Sequence, residues 1–318
     1  MNIIYLGSGE LGIHSLNALY NSDHNLQLLV TQPPHPAGRG KKRRQTPVAQ
    51  WAQKHSLDLI ESENVNSAET LNRIAGLKPD LIVVIAFGQK LCRKLTEMPP
   101  KGSVNVHASL LPAYRGAAPV NWAIINGEQK TGISIITLAE KMDAGKILSQ
   151  AETPIKPEEC AGELHDRLAE MASPLLLNTI RDISEQRAVY TPQDDSQATL
   201  APKLKKKDGY LDFSEPAEVL ERKIRGLWPW PEASANYVSF KNGKSTRVII
   251  AEADVVPTGQ PASQAGELDR NLNTVCGRDA LRIKKIKPAG GKLMDFRAFA
   301  NGRHSCPGDY FREIKTLR

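Results

Sequence analysis

The stretch that decides the fold is Asn105-Val106-His107-Ala108-Ser109-Leu110-Leu111-Pro112-Ala113-Tyr114-Arg115-Gly116. It follows a short apolar run, so it begins in a predicted strand and turns before the next helical pattern. Because alternate residues of a strand share a face, Asn105 and His107 are expected on the same side of it. A carboxylate, Asp143, follows another strand-like run thirty-six residues after His107. An amide, an imidazole and a carboxylate at strand ends can polarise a carbonyl and move a proton, which is acyl-transfer chemistry.

Around this stretch, short apolar runs alternate with helical patterns, which is typical of parallel α/β units. The continuous apolar run at 80–85 predicts a strand covered on both faces. The first half of the chain therefore predicts a Rossmann-like parallel sheet. Its strands are predicted at 2–6, 26–31, 80–85, 104–107, 132–138 and 146–155, and its helices at 10–21, 46–55, 67–77 and 157–186, the last with Pro157 in its first turn.

The second half changes character at residues 191–208, which are polar and rich in Pro, Gln, Asp and Lys, as in a linker. Beyond it, alternating runs separated by Gly, Pro and Asn predict a small OB-like β-barrel. The expected domains are a catalytic domain at 1–190, the linker at 191–208 and the barrel at 209–318. The elements predicted there are helices at 215–227 and 292–300 and strands at 235–240, 247–256 and 281–286.

Charge is distributed unevenly along the 318 residues. Residues 1–202 carry 20 Lys and Arg against 21 Asp and Glu, whereas residues 203–318 carry 22 against 14. A basic second half favours a polyanionic partner, although a surplus of this size also serves solubility. The four cysteines lie far apart without a CxxC pair, so no metal site is expected. With neither a signal-peptide pattern nor an apolar run near 18 residues, the expected location is the cytoplasm, and a processed organellar protein would show the same pattern.

The block Asn105-x-His107, the segment Ser109–Gly116 and the later Asp143 together resemble the folate-dependent formyltransferases, and the resemblance extends over essentially the whole chain. It implies 10-formyltetrahydrofolate as the formyl donor, with no metal. The implied acceptor is the α-amine of methionine on charged initiator tRNA, and a monomer is expected because that acceptor is large and already asymmetric. Asn105, His107 and Asp143 are then the expected catalytic residues.

Each of the three has a chemical role to fill. Asn105 can donate its amide N–H to the oxygen on which charge develops. His107 can donate to the same oxygen or relay a proton between the amine and the leaving nitrogen, since imidazoles titrate near neutral pH. Asp143 can orient the imidazole and favour its protonated form, or it can position a water molecule. The sequence leaves these alternatives open.

The resemblance also implies a folate site along the ends of the central strands. It places the pterin near Phe87 and Gly88 and along 136–143, with backbone groups as partners. For Phe87 a role as a core aromatic is at least as well supported by the sequence. The turn after the catalytic strand supplies the other expected folate-binding residues, which are Ser109, Leu110, Leu111 and Pro112.

A basic segment, 33–44, follows the second predicted strand and is too rich in Pro and Gly to predict helix or strand. Five of its last six residues are basic, which favours contact with phosphates over an ordinary solvated loop. The resemblance implies that Arg39 wedges into the first base pair of the tRNA acceptor arm, so that opening of that pair is read out. The other expected tRNA-binding residues are Lys41, Lys42, Arg43, Arg44, Lys203, Lys205, Lys206 and Lys207.

Three other functions remain open at this point. A related formyltransferase acting on a nucleotide-sugar amine, on the amine of a purine precursor or on water has the same Asn-x-His and distant Asp, but the basic segments favour a larger polyanion. An NAD-dependent oxidoreductase is favoured only by Gly7, Gly9 and Gly12, which form a G-x-G-x-x-G. The acidic residue that a dinucleotide site needs is missing at the end of the second strand. A non-catalytic RNA-binding protein would leave Asn105, His107 and Asp143 without a purpose.

Overall fold

The structure of the protein, a computed structural model, describes residues 1–37, 42–261 and 264–314. Its backbone divides into two units that do not simply follow each other along the chain. The predicted linker contains one boundary, between Ala201 and Pro202, and the second unit also takes two segments from the first half. The first unit is Met1–Pro119, Lys130–Pro154 and His165–Ala201, and the second is Val120–Gln129, Ile155–Leu164 and Pro202–Arg318.

The strands of the first unit are β1 (Asn2–Gly7), β2 (Asn25–Thr31), β3 (His35–Ala37), β4 (Lys42–Arg44), β5 (Leu59–Glu61), β6 (Leu81–Ile85), β7 (Ser103–His107), β8 (Arg115–Gly116), β9 (Lys130–Thr137), β10 (Ile147–Pro154) and β11 (Leu200–Ala201). Those of the second unit are β12 (Ala233–Val238), β13 (Ser245–Pro261), β14 (Thr274–Val275), β15 (Arg278–Pro288), β16 (Met294–Asp295) and β17 (Tyr310–Arg312). The helices are α1 (Ile13–Tyr20), α2 (Pro47–His55), α3 (Ala68–Gly76), α4 (Arg93–Thr96), α5 (Pro119–Ile125), α6 (Ala161–Ser184), α7 (Ala217–Gly226) and α8 (Phe296–Arg303). Short 3-10 turns lie at Glu10–Gly12, Asp195–Gln197 and Lys206–Gly209.

A seven-stranded sheet in the order β10-β9-β7-β6-β1-β2-β5 is the centre of the first unit. Five neighbouring strands from β7 to β5 are parallel, whereas β9 is antiparallel to both β7 and β10. All five residues of β6 are buried, as its continuous apolar run predicts. Ile82 and Val84 of this strand pack in one core with Leu71 and Ile74 of α3. The Rossmann-like α/β prediction is confirmed, with the correction that the sheet is mixed rather than wholly parallel.

The second unit contains an antiparallel barrel-like sheet in the order β14-β15-β13-β12-β17, with β16 paired to β15. Residues 266–268 bridge its two edge strands. Gly266 donates its N–H to Val275 in β14 at 2.7 Å, and Phe311 in β17 donates to the carbonyl of Gly266 at 2.7 Å. Its core includes Tyr237, Ile250 and Phe311. The predicted small β-barrel is therefore confirmed, and it is almost closed by a segment that has no strand pattern.

The structure corrects three of the predictions in more than small detail. The segment 33–44 is not free of strand, because β3 pairs with β4 in an antiparallel hairpin. The helix predicted to begin at Pro157 begins at Ala161, where the carboxylate of Glu163 accepts the N–H of Cys160 at 2.9 Å in a capping interaction. The last helix begins at Phe296 rather than at 292, because β16 pairs with β15 just before it.

No helix in the described ranges is both long enough and apolar enough to cross a membrane.

Candidate active site

The candidate site lies at the carboxyl end of β7, which lies between β6 and β9 in the sheet. Asn105 and His107 project from the same face of this strand, and the intervening Val106 is buried. The Asn105 side chain is partly exposed and makes no hydrogen bond to any described residue. Its amide is therefore a donor and acceptor that is open to a ligand.

The imidazole of His107 is buried and has a polar atom facing each of its two nitrogens. Its Nε2 lies 2.9 Å from the carbonyl oxygen of Tyr114. Since a carbonyl only accepts hydrogen bonds, Nε2 carries a hydrogen in this arrangement. Nδ1 faces Oδ2 of Asp143 at 3.6 Å. The distance is long for a hydrogen bond, so Nδ1 is the ring nitrogen left available for proton transfer.

Asp143 lies in the loop between β9 and β10 and has a φ of +53°, a left-handed conformation that is uncommon outside glycine. Its carboxylate accepts the backbone N–H of Gly116 at 2.9 Å. This bond and the facing imidazole orient the carboxylate towards the end of β7. The structure thus brings together His107 and Asp143, which are 36 positions apart in the sequence.

The turn at 109–112 is fixed by polar side chains from the neighbouring strands β9 and β10. The hydroxyl of Ser134 donates to the carbonyl of Ser109 at 2.6 Å and accepts the N–H of Leu111 at 3.0 Å. Gln150 donates to the carbonyl of Leu111 at 2.9 Å. Leu111 is buried, while Leu110 and Pro112 are partly exposed. Sequence reasoning missed Ser134 and Gln150, although the signal for Ser134 was a lone polar residue inside an apolar strand.

The ring of Phe87 belongs to the core of the first unit and is 2% exposed. Its carbonyl oxygen accepts hydrogen bonds from Ser8 at 3.2 Å and from Gln32 at 2.8 Å. Gly88 beside it is exposed and has a φ of +82°. Of these two predicted folate-binding residues, Gly88 is therefore exposed, whereas the Phe87 ring is buried.

Two glycines of the G-x-G-x-x-G motif, Gly7 and Gly12, leave room for the side chain of Tyr5. A Cβ at Gly12 would overlap the Tyr5 hydroxyl, and a Cβ at Gly7 would lie against the edge of the same ring. Gly9 donates its N–H to the carbonyl of Ala86 at 3.3 Å. These contacts account for the motif as a strand-to-helix turn.

The predicted tRNA-binding residues fall into two groups. Arg39 and Lys41 lie outside the described residues, and for Lys42 only the backbone, in β4, is described. Arg43 and Arg44 are exposed in the same strand. In the second group the side chains are exposed on either side of the buried Leu204, and they make no ion pair within the described ranges. This group is Lys203, Lys205, Lys206 and Lys207.

Comparison with known proteins identifies the family. The formyl transferase model matches residues 1–180, and the model of the formyl transferase C-terminal domain matches residues 203–304. Methionyl-tRNA formyltransferase of Trichlorobacter lovleyi is 38% identical over 300 residues, which cover 94% of this chain and 93% of that protein.

Two solved structures share the fold. The methionyl-tRNA formyltransferase of Clostridium thermocellum superposes with a TM-score of 0.53 at 18% identity, covering 82% of this chain and 95% of that one. An N-formyltransferase of Helicobacter canadensis in complex with folinic acid and dTDP-3-aminofucose superposes with a TM-score of 0.64 at 14% identity, covering 92% and 99%. On the family models and the identity to its relative, the chain belongs to the formyl transferase family, in its methionyl-tRNA formyltransferase branch.

Proposed function

We propose that this protein transfers the formyl group of 10-formyltetrahydrofolate to the α-amine of methionine on charged initiator tRNA. The observation that carries the proposal is the open amide of Asn105 beside the His107–Asp143 pair at the end of β7. The name of the Trichlorobacter lovleyi relative supports methionyl-tRNA as the acceptor, and the restriction to initiator tRNA is part of the proposal. We further propose that catalysis belongs to 1–190 and tRNA binding to 209–318, joined by 191–208, in a cytoplasmic monomer.

The donor set fits a folate that carries a formyl group. Asn105 offers a free amide for the formyl oxygen, and the exposed Gly88 offers backbone polar atoms for a pterin. The folate, when bound, supplies the formyl group and the nitrogen that leaves. We assign its contacts to Gly88 and to the turn Ser109–Pro112, with Phe87 supporting the strand end from the core.

The chain's own groups divide the proton transfer between them. The Asn105 N–H stabilises the negative charge that develops on the formyl oxygen, a contact typically worth a factor of about a hundred or more in rate. His107 Nδ1 takes a proton from the attacking amine and returns it to the leaving nitrogen. Asp143 stabilises the imidazolium between these steps, because its Oδ2 faces Nδ1 at 3.6 Å. Tyr114 fixes the ring through Nε2, so that Nδ1 does not turn away.

Recognition of the tRNA is assigned to the basic residues. Arg39 is proposed to open the first base pair of the acceptor arm. We propose that Lys41, Lys42, Arg43 and Arg44, together with Lys203 and Lys205–Lys207, bind phosphates. If Arg39→Ala formylates initiator tRNA at the wild-type rate, this assignment of Arg39 is wrong.

The test of the proposed function is a formylation assay with 10-formyltetrahydrofolate and three acceptors: charged initiator tRNA, charged elongator methionine tRNA and a nucleotide-sugar amine. We expect transfer to the initiator alone, and a loss in Asn105→Ala of about a hundredfold or more in kcat. The matched control is Asn21→Ala, which removes an exposed amide that bonds only to a local carbonyl. Transfer to the sugar amine, or an Asn105→Ala variant as active as the control, would contradict the proposal.

A further inference from the structure

The left-handed backbone of Asp143 has to be held by its neighbours, because a non-glycine residue with φ of +53° is strained. Its carboxylate bond to Gly116 acts on the side chain, and within the loop the N–H of Ala144 donates to the carbonyl of Lys141 at 3.3 Å. Two shorter bonds to the loop backbone come from a residue fifty positions further along the chain. Gln193 donates from Nε2 to the carbonyl of Asp143 at 2.7 Å and to the carbonyl of Gly145 at 2.7 Å. The two bonds fix both sides of Ala144, and with it the turn that orients the carboxylate.

The orientation of the Gln193 amide is determined by the group on its other side. Oε1 accepts from Arg115 Nε at 3.1 Å and from Arg115 Nη2 at 2.7 Å. A flipped amide would face two carbonyl oxygens with its own oxygen and a guanidinium with its N–H groups. The four hydrogen bonds are therefore compatible with one orientation only, in which both N–H groups point at the Asp143 loop.

Arg115 is itself held in place. Its side chain is 3% exposed and ion-paired to Asp195 at 2.7 Å. Lys141, two residues before Asp143, bonds to the other oxygen of Asp195 at 3.1 Å. The hydrogen bond from the Arg115 guanidinium, followed by that from Lys141, holds the pKa of Asp195 below its usual range. The carboxylate thus stays charged at neutral pH and anchors both Arg115 and the Asp143 loop.

We propose that Gln193 is a positioning residue for Asp143, and that Arg115 and Asp195 hold Gln193 in the orientation this requires. The proposal rests on the role assigned to Asp143 in the proposed function. Gln193 touches neither the reacting atoms nor His107, so it acts on the rate only through the geometry of the Asp143 loop.

The experiment measures formylation kinetics for Gln193→Ala and Gln193→Glu, with Gln197→Ala as the matched control. Gln197 lies in the same segment but bonds only to the exposed Asp194. Glu keeps the length of the side chain and lacks both N–H groups, and its carboxylate would face two carbonyl oxygens. We expect kcat to fall by about 10- to 100-fold in both variants while the KM values for both substrates change less than about threefold, as for a misplaced catalytic group. A wild-type kcat in Gln193→Glu would overturn the proposal. It would show that Gln193 only fills space, which a Glu side chain of the same size also does.

A double-mutant cycle with Asp143→Asn tests whether the effect passes through Asp143. If it does, Gln193→Ala reduces kcat little further in the Asp143→Asn background, whereas an undiminished loss overturns the proposal. Asp143→Asn as active as wild type would mean that the role assigned to Asp143 is wrong. An impaired Asp143→Asn with unimpaired Gln193 variants would overturn the positioning role alone. Should Asp143→Asn fall below detection, the comparison of Gln193→Glu with Gln197→Ala decides.

Discussion

The Tyr5 hydroxyl is fully buried and has no hydrogen-bond partner among the described residues. Such an unsatisfied group costs stability, so we expect Tyr5→Phe to raise the free energy of unfolding by about 1 kcal/mol. Chemical denaturation near neutral pH checks this. The hydroxyl fits where it does because Gly12 has no Cβ.

The same substitution changes the pH dependence of stability. Burial raises the pKa of Tyr5 above its ordinary value of 10.0, so the phenol stays neutral in the folded state while it ionises in the unfolded chain. The contribution of the neutral Tyr5 to the free energy of unfolding is therefore fully present below pH 10 and declines as the pH rises above it. Tyr5→Phe lacks this contribution, so its advantage over wild type grows between about pH 9 and pH 11. An advantage that stays constant over this range would contradict the burial of a titrating phenol.

Gly12 and Tyr5 form a coupled pair. We expect Gly12→Ala to cost about 2 kcal/mol or more, because the new methyl group overlaps the Tyr5 hydroxyl. Tyr5→Phe in the same chain should recover most of that loss, and the double-mutant cycle of unfolding free energies measures it. The control is Gly76→Ala, whose Cβ would meet nothing within 4 Å. If Gly12→Ala lowers the free energy of unfolding equally in the wild-type and the Tyr5→Phe backgrounds, the two residues do not interact.

At the scale of elements, closure of the barrel depends on Gly266. It has a φ of +91°, and a Cβ there would overlap the carbonyl oxygen of Phe311. Gly290 in the same unit has a φ of +76°, and a Cβ there would meet nothing within 4 Å. Gly290→Ala therefore measures the cost of a positive φ without a steric overlap. We expect Gly290→Ala to cost about 1 kcal/mol and Gly266→Ala about 3 kcal/mol or more.

Hydrogen exchange locates this effect. Amides of β14 and β17 should lose protection in Gly266→Ala, whereas β1 and β2 of the first unit serve as the internal reference. Equal exchange in the two alanine variants would mean that the bridge at 266–268 adds nothing to the stability of the barrel.

The elements found from the sequence are those with a strong local signal. The apolar run of β6 and the alternation of β12 predicted strands that the structure contains. The β3–β4 hairpin was missed because its residues are mostly Pro and basic, and its strands are only three residues long. The closing segment 266–268 was missed for a different reason, since its hydrogen bonds join positions that are distant in the sequence.

At the scale of the whole molecule, two basic segments of the second unit differ in how their positive charges are used. On β15, Arg282, Lys284 and Lys285 are ion-paired within the second unit to Asp254, Glu252 and Asp295. The segment Lys203–Lys207 carries lysines without such partners in the described ranges. Its charge is thus available to an external polyanion.

Salt dependence of tRNA binding tests this difference. Replacing Lys203, Lys205, Lys206 and Lys207 by Ser should reduce the slope of log Kd against log salt by up to about 3, since each phosphate contact contributes roughly 0.7–0.9. Fluorescence anisotropy with a labelled acceptor arm measures the slope. The matched control replaces Arg282, Lys284 and Lys285 by Ser and should change it less, and equal effects of the two sets would contradict the assignment.

Only part of the candidate site could be predicted from the sequence. Asn105, His107 and Asp143 were predicted as a set by resemblance, and the structure brings His107 and Asp143 to 3.6 Å. Gln193 was assigned to a linker because local composition was its only signal. Its contact with Asp143 spans 50 positions and depends on the folded loop, so no spacing rule predicts it.

The second unit is built from three separate segments of the chain, and this has a consequence for synthesis on the ribosome. Asn121 donates to the carbonyl of Gly226 at 2.7 Å across 105 positions of the chain. Arg225 likewise donates to the carbonyl of Glu159 at 3.0 Å. At about 5–20 residues per second, α5 emerges on the order of 5–20 s before its partner has been made. During that interval the contact that α5 makes with Gly226 at the end of α7 cannot form. A gene shortened after residue 201 would make this temporary state permanent.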